Sequence, residues 1–445
     1  MFHQELKAVL NNALSEVSSN ISQYVARPGK DLSRNRKFSP EFLMSFLISQ
    51  GASSTKCELL DFFDMSIDRP TLSALNQQRA KLKPEALEAA FHAFNTGAYD
   101  LDLTKNTQNY RFLAADGSTI TFFSFPRFAS PEYFVSEGHS ARGFYSIHIN
   151  AFYDLHTKTY TDAYLQPVHN KDEFSAFCKI VDRHQAFPGT KNIYIGDRGY
   201  CSFNNMAHVT EQGQYFLFRS KDIHRKGPAA NFDYPDSDTF DIDVCVTLTR
   251  SQKRSLDIRE GTYRRFVGAA TSFDFIQYGS QDTYELAFRV VRFPISEDTY
   301  ECIITNLPRD EFPMERIKET YNLRWGIETS FRKLKYTIGL TNYHSYKPEY
   351  VCQEVWAKLI AYNASELLVQ HTVTDVCDRK YDYSVNFTVA AHICRIYLRL
   401  TAETDSIDVM SLLKTELVPI RNNRQFPRLK TAHFRKPKYP VYRAA

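Results

Sequence analysis

The feature that most constrains the fold is a change in hydrophobic periodicity near residue 110. Before it, apolar residues recur at three- and four-residue spacing, which is typical of amphipathic helices. After it, apolar and polar residues alternate, as in FYSIHINAFYDL, where Tyr145, Ile147 and Ile149 share one face. The chain therefore begins with helices and continues into a β-sheet.

The segments between residues 110 and 220 read strand, strand, strand, helix, strand, helix, strand. An initial meander followed by strand-helix alternation predicts an α/β fold, a mixed sheet with helices flanking it on both faces. Residues 221–312 lack a strong helical pattern and predict a β-rich insertion. The pattern gives three predicted domains: helices at 1–105, a sheet domain at 106–345 interrupted by the insertion, and a helical region at 346–445 that ends in a basic tail.

Composition narrows the class of protein. The eight cysteines contain no CxxC pair, so neither a disulfide framework nor a zinc ribbon is encoded, and we expect reduced thiols. No stretch of about 18 apolar residues is present, and the first residues form an amphipathic helix pattern instead of a signal peptide. We therefore expect a cytoplasmic protein with no membrane partner.

Two segments are candidates for nucleic-acid contact. Residues 421–445 contain eight Lys or Arg and no acid, although such tails are often only solvated. The helix predicted over 71–83 carries Gln78 and Arg79, which suit phosphates and base edges, so it is a candidate recognition helix. The alternative for this helix is a helical cap on the sheet domain with an ordinary polar face.

Two aspartates follow apolar strand patterns. Asp116 ends the first strand, in LAADGST, and Asp197 ends the fourth, in YIGDRGY. If these strands are neighbours, both carboxylates emerge at the same edge, where oxygen ligands suit Mg²⁺ or Mn²⁺. The alternative for each aspartate alone is a surface turn.

A helix predicted over 314–336 carries a more specific pattern. Its members Tyr321, Arg324, Glu328 and Lys335 fall within an arc of roughly 60° at 100° per residue. One face then presents a carboxylate flanked by two cations and a phenol. The alternative is an amphipathic helix with an ordinary ion pair between Arg324 and Glu328.

The pattern YxxRxxxExxxxxxK in this helix resembles the signature of IS4-type insertion-sequence transposases, which belong to the DDE group. ADGST and GDRGY resemble the first and second acidic motifs of that family. The resemblance covers residues 110–340, and the helices before it are similar to the family's helical DNA-binding region. It implies an RNase H-like catalytic core.

The resemblance also implies the chemistry. Asp116, Asp197 and Glu328 would hold two Mg²⁺ ions, for which Mn²⁺ can substitute, while Tyr321, Arg324 and Lys335 would grip a DNA phosphate. Arg198 and Tyr200 are further candidates for DNA contact. Double-stranded DNA, as transposon ends and target, would be the substrate of a homodimer or larger assembly at the bacterial nucleoid.

Two other functions stay open at this point. A related metal-dependent nuclease would share the acids but not rejoin DNA, and a non-catalytic DNA-binding derivative would keep the fold alone. The histidines offer no pair at metal-ligand spacing, and Ser118 lacks a motif-placed base, which disfavours zinc hydrolysis and serine catalysis.

Overall fold

The protein is described by a computed structural model that covers residues 2–33, 38–100, 109–136, 143–184, 189–252, 260–297, 299–372, 382–399 and 407–420. The basic segment 421–445 lies outside these ranges. The helices are α1 (Phe2–Ser19), α2 (Pro40–Ser49), α3 (Thr55–Phe62), α4 (Leu72–Arg79), α5 (Glu85–Asp100), α6 (Glu173–Arg183), α7 (Phe203–Glu211), α8 (Met314–Asn322), α9 (Trp325–Tyr336), α10 (Pro348–Gln370), α11 (Phe387–Tyr397) and α12 (Val409–Thr415). The strands are β1 (Tyr110–Phe122), β2 (Phe134–Ser136), β3 (Gly143–Asp154), β4 (Thr159–Pro167), β5 (Lys191–Gly196), β6 (Tyr215–Ser220), β7 (Phe240–Thr249), β8 (Tyr263–Phe266), β9 (Thr283–Ser296), β10 (Thr299–Thr305), β11 (Tyr383–Val385) and β12 (Leu417–Pro419).

Strand β1 lies at the centre of the main sheet. It pairs antiparallel with β3 on one side and parallel with β5 on the other, and β5 pairs parallel with β6. The far edge of β3 pairs with β4 and, further along, with the short β2. The predicted α/β class, with a mixed sheet built from a meander and two strand-helix units, is confirmed.

The strands predicted as an insertion extend this same sheet. Strand β10 pairs antiparallel with β6, β9 pairs with β10, and β7 and β8 complete the edge. Over the described part of 221–312 the chain forms strands and turns without a helix, as predicted. The insertion is therefore a continuation of the main sheet and not a separate body.

Helices cover both faces of the sheet, and the alternation along β1 assigns its side chains to them. Leu113 and Ala115 pack with the residues of α6 and α7. Ala114 and Ile120 point the other way, into a cluster that includes α1, α2, α5, α9, α10 and α11. Even-numbered positions of β1 near Asp116 therefore face α9.

The amino-terminal helices share their core with α10. Of the 23 residues of α10, 17 are buried, which fits its lack of a polar face. Its Trp356 contacts Phe91 of α5 with ring centroids 5.3 Å apart. Side-chain oxygens of Ser39, Ser54 and Thr71 cap α2, α3 and α4, as their sequences favour. No helix in the described part of the chain is long and apolar enough to span a membrane.

The proposed recognition role of Gln78 and Arg79 does not fit the structure. Both side chains are buried, and Arg79 donates to Gln353 Oε1 and to Glu354 Oε1, each at 2.8 Å. Gln78 accepts a hydrogen bond from Lys81. The polar side of α4 therefore packs on α10, because a buried guanidinium needs charged and polar partners. Asn76 and Gln77, its neighbours, are exposed.

We expect Arg79→Ala to destabilise the fold by about 3–5 kcal/mol, because it leaves Glu354 buried without its cation. Gln77→Ala, on the exposed side of the same helix, should change the free energy of unfolding by less than about 0.5 kcal/mol. Urea denaturation of both variants measures this. An Arg79→Ala protein that is as stable as the parent but binds DNA weakly would restore the recognition role.

Candidate active site

Asp116 lies inside β1, which continues to Phe122, and not at the end of the strand as predicted. The parallel pairing with β5 does stop just before it, at Ala114 opposite Ile195. The Asp116 Oδ1 atom accepts a 2.8 Å hydrogen bond from the Gly117 amide. The carboxylate thus sits where one edge of β1 becomes free, on the face covered by α9.

Asp197 follows directly after β5. Asp116 and Asp197 each lie two residues beyond the last β1–β5 pair, Ala114 and Ile195, so they are level with each other. Its Oδ1 accepts a 2.8 Å hydrogen bond from the Gly199 amide, and its carbonyl accepts one from Tyr200. Ile193 and Ile195, which share its alternation, pack toward α8. The first and fourth predicted strands are neighbours and pair in parallel, which meets the condition for both carboxylates to emerge at one edge.

Glu328 is presented by α9, which packs across β1. Tight hydrogen bonds, from Arg324 N to Tyr321 O and from Gly326 N to Leu323 O, separate α8 from α9. The single helix predicted over 314–336 is therefore wrong, because the segment forms two consecutive helices, α8 and α9. Arg324 and Glu328 still lie four residues apart, and their side chains form a 2.9 Å ion pair.

Further contacts fix α9 over β1. Lys335 Nζ donates to the Thr119 carbonyl of β1 at 3.3 Å. At the other end, a β-carbon on Gly326 would lie 2.9 Å from Leu155 Cδ2. A larger residue in this first turn would require the Leu155 side chain to move away.

The three carboxylates act on one another electrostatically. Burial raises the pKa of Asp116 to about 6, the Gly117 amide and Arg324 lower it, and the negative charges of Asp197 and Glu328 raise it further. Asp197 and Glu328 thus both influence the Asp116 carboxyl, although the three acids are separated by 81 and 131 positions in the chain. Such a perturbed carboxyl is typical of functional sites.

A family profile described as a transposase DDE domain matches residues 107–364, which is more than half of the chain and includes all three acids. The chain belongs to the DDE transposase family. It is 24% identical over 388 residues to the transposase of insertion sequence element IS231C from Bacillus thuringiensis subsp. berliner, across 80% of this chain and 78% of that protein. It is also 28% identical over 130 residues to transposase InsG of IS4 from Escherichia coli K12, across 26% and 28%. The IS4-type resemblance is confirmed.

One solved structure similar to the transposase is a piggyBac transposase synaptic complex with hairpin DNA. The match covers 94% of this chain and 84% of that chain, with 8% identity and a TM-score of 0.42. A score this low carries no argument about the site.

The donor set of the acid cluster suits a hard divalent cation. Asp116, Asp197 and Glu328 offer only carboxylate oxygens, which Mg²⁺ prefers. In the described part of the transposase these oxygens do not all lie within 4.8 Å of one another. This spacing is wider than a single small ion needs, and Glu328 Oε1 is engaged by Arg324.

A fourth carboxylate, Glu173 at the start of α6, lies beside the glycines that follow the two aspartates and was not predicted. Its Oε1 lies 3.1 Å from His148 Nε2 and 2.8 Å from Lys171 Nζ. The contact with His148 lowers the pKa of Glu173 to about 2, with Lys171 adding to the effect against a smaller opposing effect of burial. Glu173 is therefore ionised at neutral pH.

The two acidic motifs each contain a glycine, Gly117 and Gly199, and these glycines are the sequence feature that relates to Glu173. A β-carbon on Gly117 would lie 2.6 Å from His148 Nε2 and 2.8 Å from Glu173 Oε1. On Gly199 it would lie 3.0 Å from Asp197 Oδ1 and 3.8 Å from Glu173 Oε2. Both motifs thus place a residue without a side chain where Glu173 approaches.

The phosphate-binding candidates differ in accessibility. Tyr321 and Arg324 are only 4% and 6% exposed, whereas Lys335 is half-buried. Burial raises the pKa of Tyr321, which keeps its hydroxyl protonated. Their contact with DNA stays a prediction.

Arg198 and Tyr200 separate into two classes. Arg198 is exposed on the turn after Asp197, where its role in DNA binding stays a prediction. Tyr200 is 2% exposed, and its ring contacts Phe177 of α6 at 5.6 Å between centroids. A direct contact between Tyr200 and DNA is therefore wrong for this conformation, because the ring belongs to the core between the sheet and α6.

We expect Asp116→Asn to stabilise the metal-free transposase at alkaline pH. The folded-state pKa of about 6 lies above the ordinary 3.8, so the stability linked to protonated Asp116 is complete below about pH 4 and lost as the pH rises through 6. At about pH 8 the gain in free energy of unfolding should reach at most about 3 kcal/mol, and at about pH 4 it should vanish. Urea denaturation in the presence of a chelator measures it.

The matched control is Asp236→Asn, an exposed aspartate of a surface loop. It should leave the dependence of stability on pH unchanged. The prediction is contradicted if Asp116→Asn and the parent protein show the same dependence of stability on pH. In that case folding does not raise the pKa of Asp116.

Proposed function

We propose that this IS4-type transposase cleaves phosphodiester bonds at the ends of an insertion sequence and joins the freed ends to target DNA. Asp116, Asp197 and Glu328 would bind two divalent cations, normally Mg²⁺, with Mn²⁺ as a substitute. The observation that carries the proposal is that the carboxylates of Asp197 and Glu328 both act electrostatically on the buried carboxyl group of Asp116.

We further propose that the catalytic core is RNase H-like. The strand order β4–β3–β1–β5–β6, with β3 antiparallel and β5 parallel to the central β1, supports this assignment. The acids then lie on the central strand, after its parallel neighbour and on a helix that crosses the face.

Two Mg²⁺ ions, when bound, would activate the attacking oxygen and neutralise the charge of the leaving oxygen. The chain's own contribution is to hold the carboxylates in place: Asp116 and Asp197 by amide hydrogen bonds from the following glycines, and Glu328 by a helix fixed on β1. Water would be the first nucleophile and the freed 3′-hydroxyl the second, so that one site serves both steps.

Arg324 would contribute to phosphate binding in this scheme. Its guanidinium is paired with Glu328, and it would also hold a phosphate of the non-transferred strand through charge-assisted hydrogen bonds. Tyr321 and Lys335 would complete that contact.

Double-stranded DNA, as element ends and as target, is the proposed partner. Joining two ends requires at least two protomers, and a DNA substrate of this kind implies action at the bacterial nucleoid. For the amino-terminal helices a DNA-binding role is supported by the exposed Asn76 and Gln77 of α4 and by their amide groups, which suit base edges. Arg198 could contact the substrate backbone close to Asp197.

We expect Asp116→Asn, Asp197→Asn and Glu328→Gln each to reduce strand cleavage by at least about 10³-fold, since neutral side chains bind the cation poorly. A labelled duplex carrying the flanking inverted repeat, with Mg²⁺, measures nicking and strand transfer. Binding of the duplex should remain. Glu319→Gln, an exposed acid of α8, is the matched control and should cleave normally.

The same assay separates the alternative functions. Nicking without strand transfer would indicate a metal-dependent nuclease, and binding alone would indicate a non-catalytic derivative. Full cleavage by any one triad variant would contradict the assignment of that residue.

Lys335→Ala should reduce the slope of log K against log salt by about one unit or less, because one phosphate contact is lost. Lys414→Ala, an exposed lysine of α12, serves as the control. The measurement is a salt titration of duplex binding by fluorescence anisotropy. Equal slopes for the Lys335 variant and the parent would remove Lys335 from the phosphate site.

A further inference from the structure

A second group of ligand-type side chains lies on the opposite face of the sheet. Cys178 of α6, His208 of α7 and Asp274 of the loop between β8 and β9 offer one sulfur, one nitrogen and one oxygen atom, all within 4.8 Å of one another. Cys178 and His208 are buried, and the side chain of Asp274 is 59% exposed. In the described part of the chain this is the one such group of three.

The imidazole of His208 is held between two carboxylates. Its Nδ1 lies 2.8 Å from Asp182 Oδ1, and its Nε2 lies 2.9 Å from Asp274 Oδ2. Metal-binding histidines commonly donate their second nitrogen to a carboxylate, which fixes the tautomer and makes the ligating nitrogen more basic. Asp182 is placed for that role, with Nε2 directed at Asp274.

The other two ligands are also held in place. Asn204 Nδ2 donates to Asp274 Oδ2 at 2.9 Å, and the Asp274 amide donates back to Asn204 Oδ1 at 2.9 Å. Cys178 Sγ lies 3.3 Å from Asn205 Oδ1 and 3.6 Å from Asn204 Nδ2. The ring of Phe275 covers His208, with centroids 4.9 Å apart. The loop is thus anchored on α7 before any ion binds.

We infer that Cys178, His208 and Asp274 form a zinc site, with Asp182 as the carboxylate that orients His208. A thiolate, an imidazole and a carboxylate are the ligands that Zn²⁺ takes in tetrahedral sites, with bond lengths of about 2.0–2.3 Å. Ligand atoms around such an ion are about 3.5 Å apart, so the present spacing needs only a small contraction. The exposed side, at Asp274, leaves room for water as the fourth ligand.

Such an ion would tie the β-rich insertion to the catalytic core. Asp274 belongs to the insertion, whereas α6 begins at Glu173 beside the acid cluster and α7 begins six residues after Asp197. The bonds from the ion to Asp274, Cys178 and His208 would therefore hold the β-rich insertion against α6 and α7. The inference is independent of the proposed reaction, because none of these ligands belongs to the acid triad.

Binding requires the thiol of Cys178 to lose its proton to solvent while the S–Zn bond forms.

The test uses Co²⁺ and Zn²⁺ as probes on the full-length protein after chelator treatment. Co²⁺ bound to a thiolate gives a sulfur-to-cobalt charge-transfer band that a site built from oxygens cannot give. We expect one such site per chain, displaced by one equivalent of Zn²⁺. Cys178→Ser should abolish the band, whereas Cys394→Ser, an equally buried cysteine of α11, should keep it.

Asp182→Asn should weaken Zn²⁺ binding by about 10–100-fold without removing a ligand. If the Cys178 variant fails to fold, Asp274→Asn at an exposed position replaces it in the test. This variant should bind Zn²⁺ more weakly although the thiol of Cys178 remains. The absence of a thiolate band in the parent protein, or its persistence in Cys178→Ser, would overturn the inference and leave a hydrogen-bonded ion network around His208. The triad variant Asp197→Asn should retain the band, so failure of the catalytic proposal and failure of this one are distinguishable.

Discussion

The site depends above all on the parallel pairing of β1 with β5. Alternation along a strand means that a slip of one residue would turn every side chain to the opposite face. The observed register, Ala114 opposite Ile195, places Asp116 and Asp197 level and on the face covered by α8 and α9. Large apolar side chains on both faces of β5 fix that register, because Tyr194 and Ile195 are both fully buried on opposite sides.

Placing these acids close together lowers the stability of the fold. Neighbouring positively charged and hydrogen-bonding groups limit this loss. The pKa of Asp116 is raised by burial, and Arg324 supplies a compensating positive charge to both Asp116 and Glu328. Glu173 is kept ionised by His148 and Lys171 on the other side of the strand. Clusters of like charge that violate the ordinary rules of folding are expected at functional sites, and a divalent cation would offset the repulsion directly.

The rest of the chain holds this face in place from two directions. On one side α9 lies between β1 and α10, and α10 also anchors α4 through Arg79 and Glu354. On the other side the insertion continues the sheet beyond β6 and returns to α6 and α7 at Asp274. Because these parts share cores with the central strands, the helices and the insertion are linked mechanically to the acids.

The sequence by itself determined the order of the elements and predicted the three acids. Hydrophobic periodicity is a local property, so the meander, the strand-helix units and the β-rich insertion could be predicted, and the spacing around Glu328 is specific enough to resemble one family. Arg324 and Glu328 also form the ion pair that the sequence offered as the alternative for this helix, since four-residue spacing suffices for it.

Only the tertiary structure decided which polar residues face solvent and which distant ones meet. Arg79 and Tyr200 read as surface residues in the sequence, but α10 and α6 pack over them. Glu173 beside Asp197, and Cys178 beside His208, depend on how α6 and α7 pack against each other and against the sheet. Contacts between residues far apart in the chain are set by burial and register, and these exist only once the whole sheet has formed.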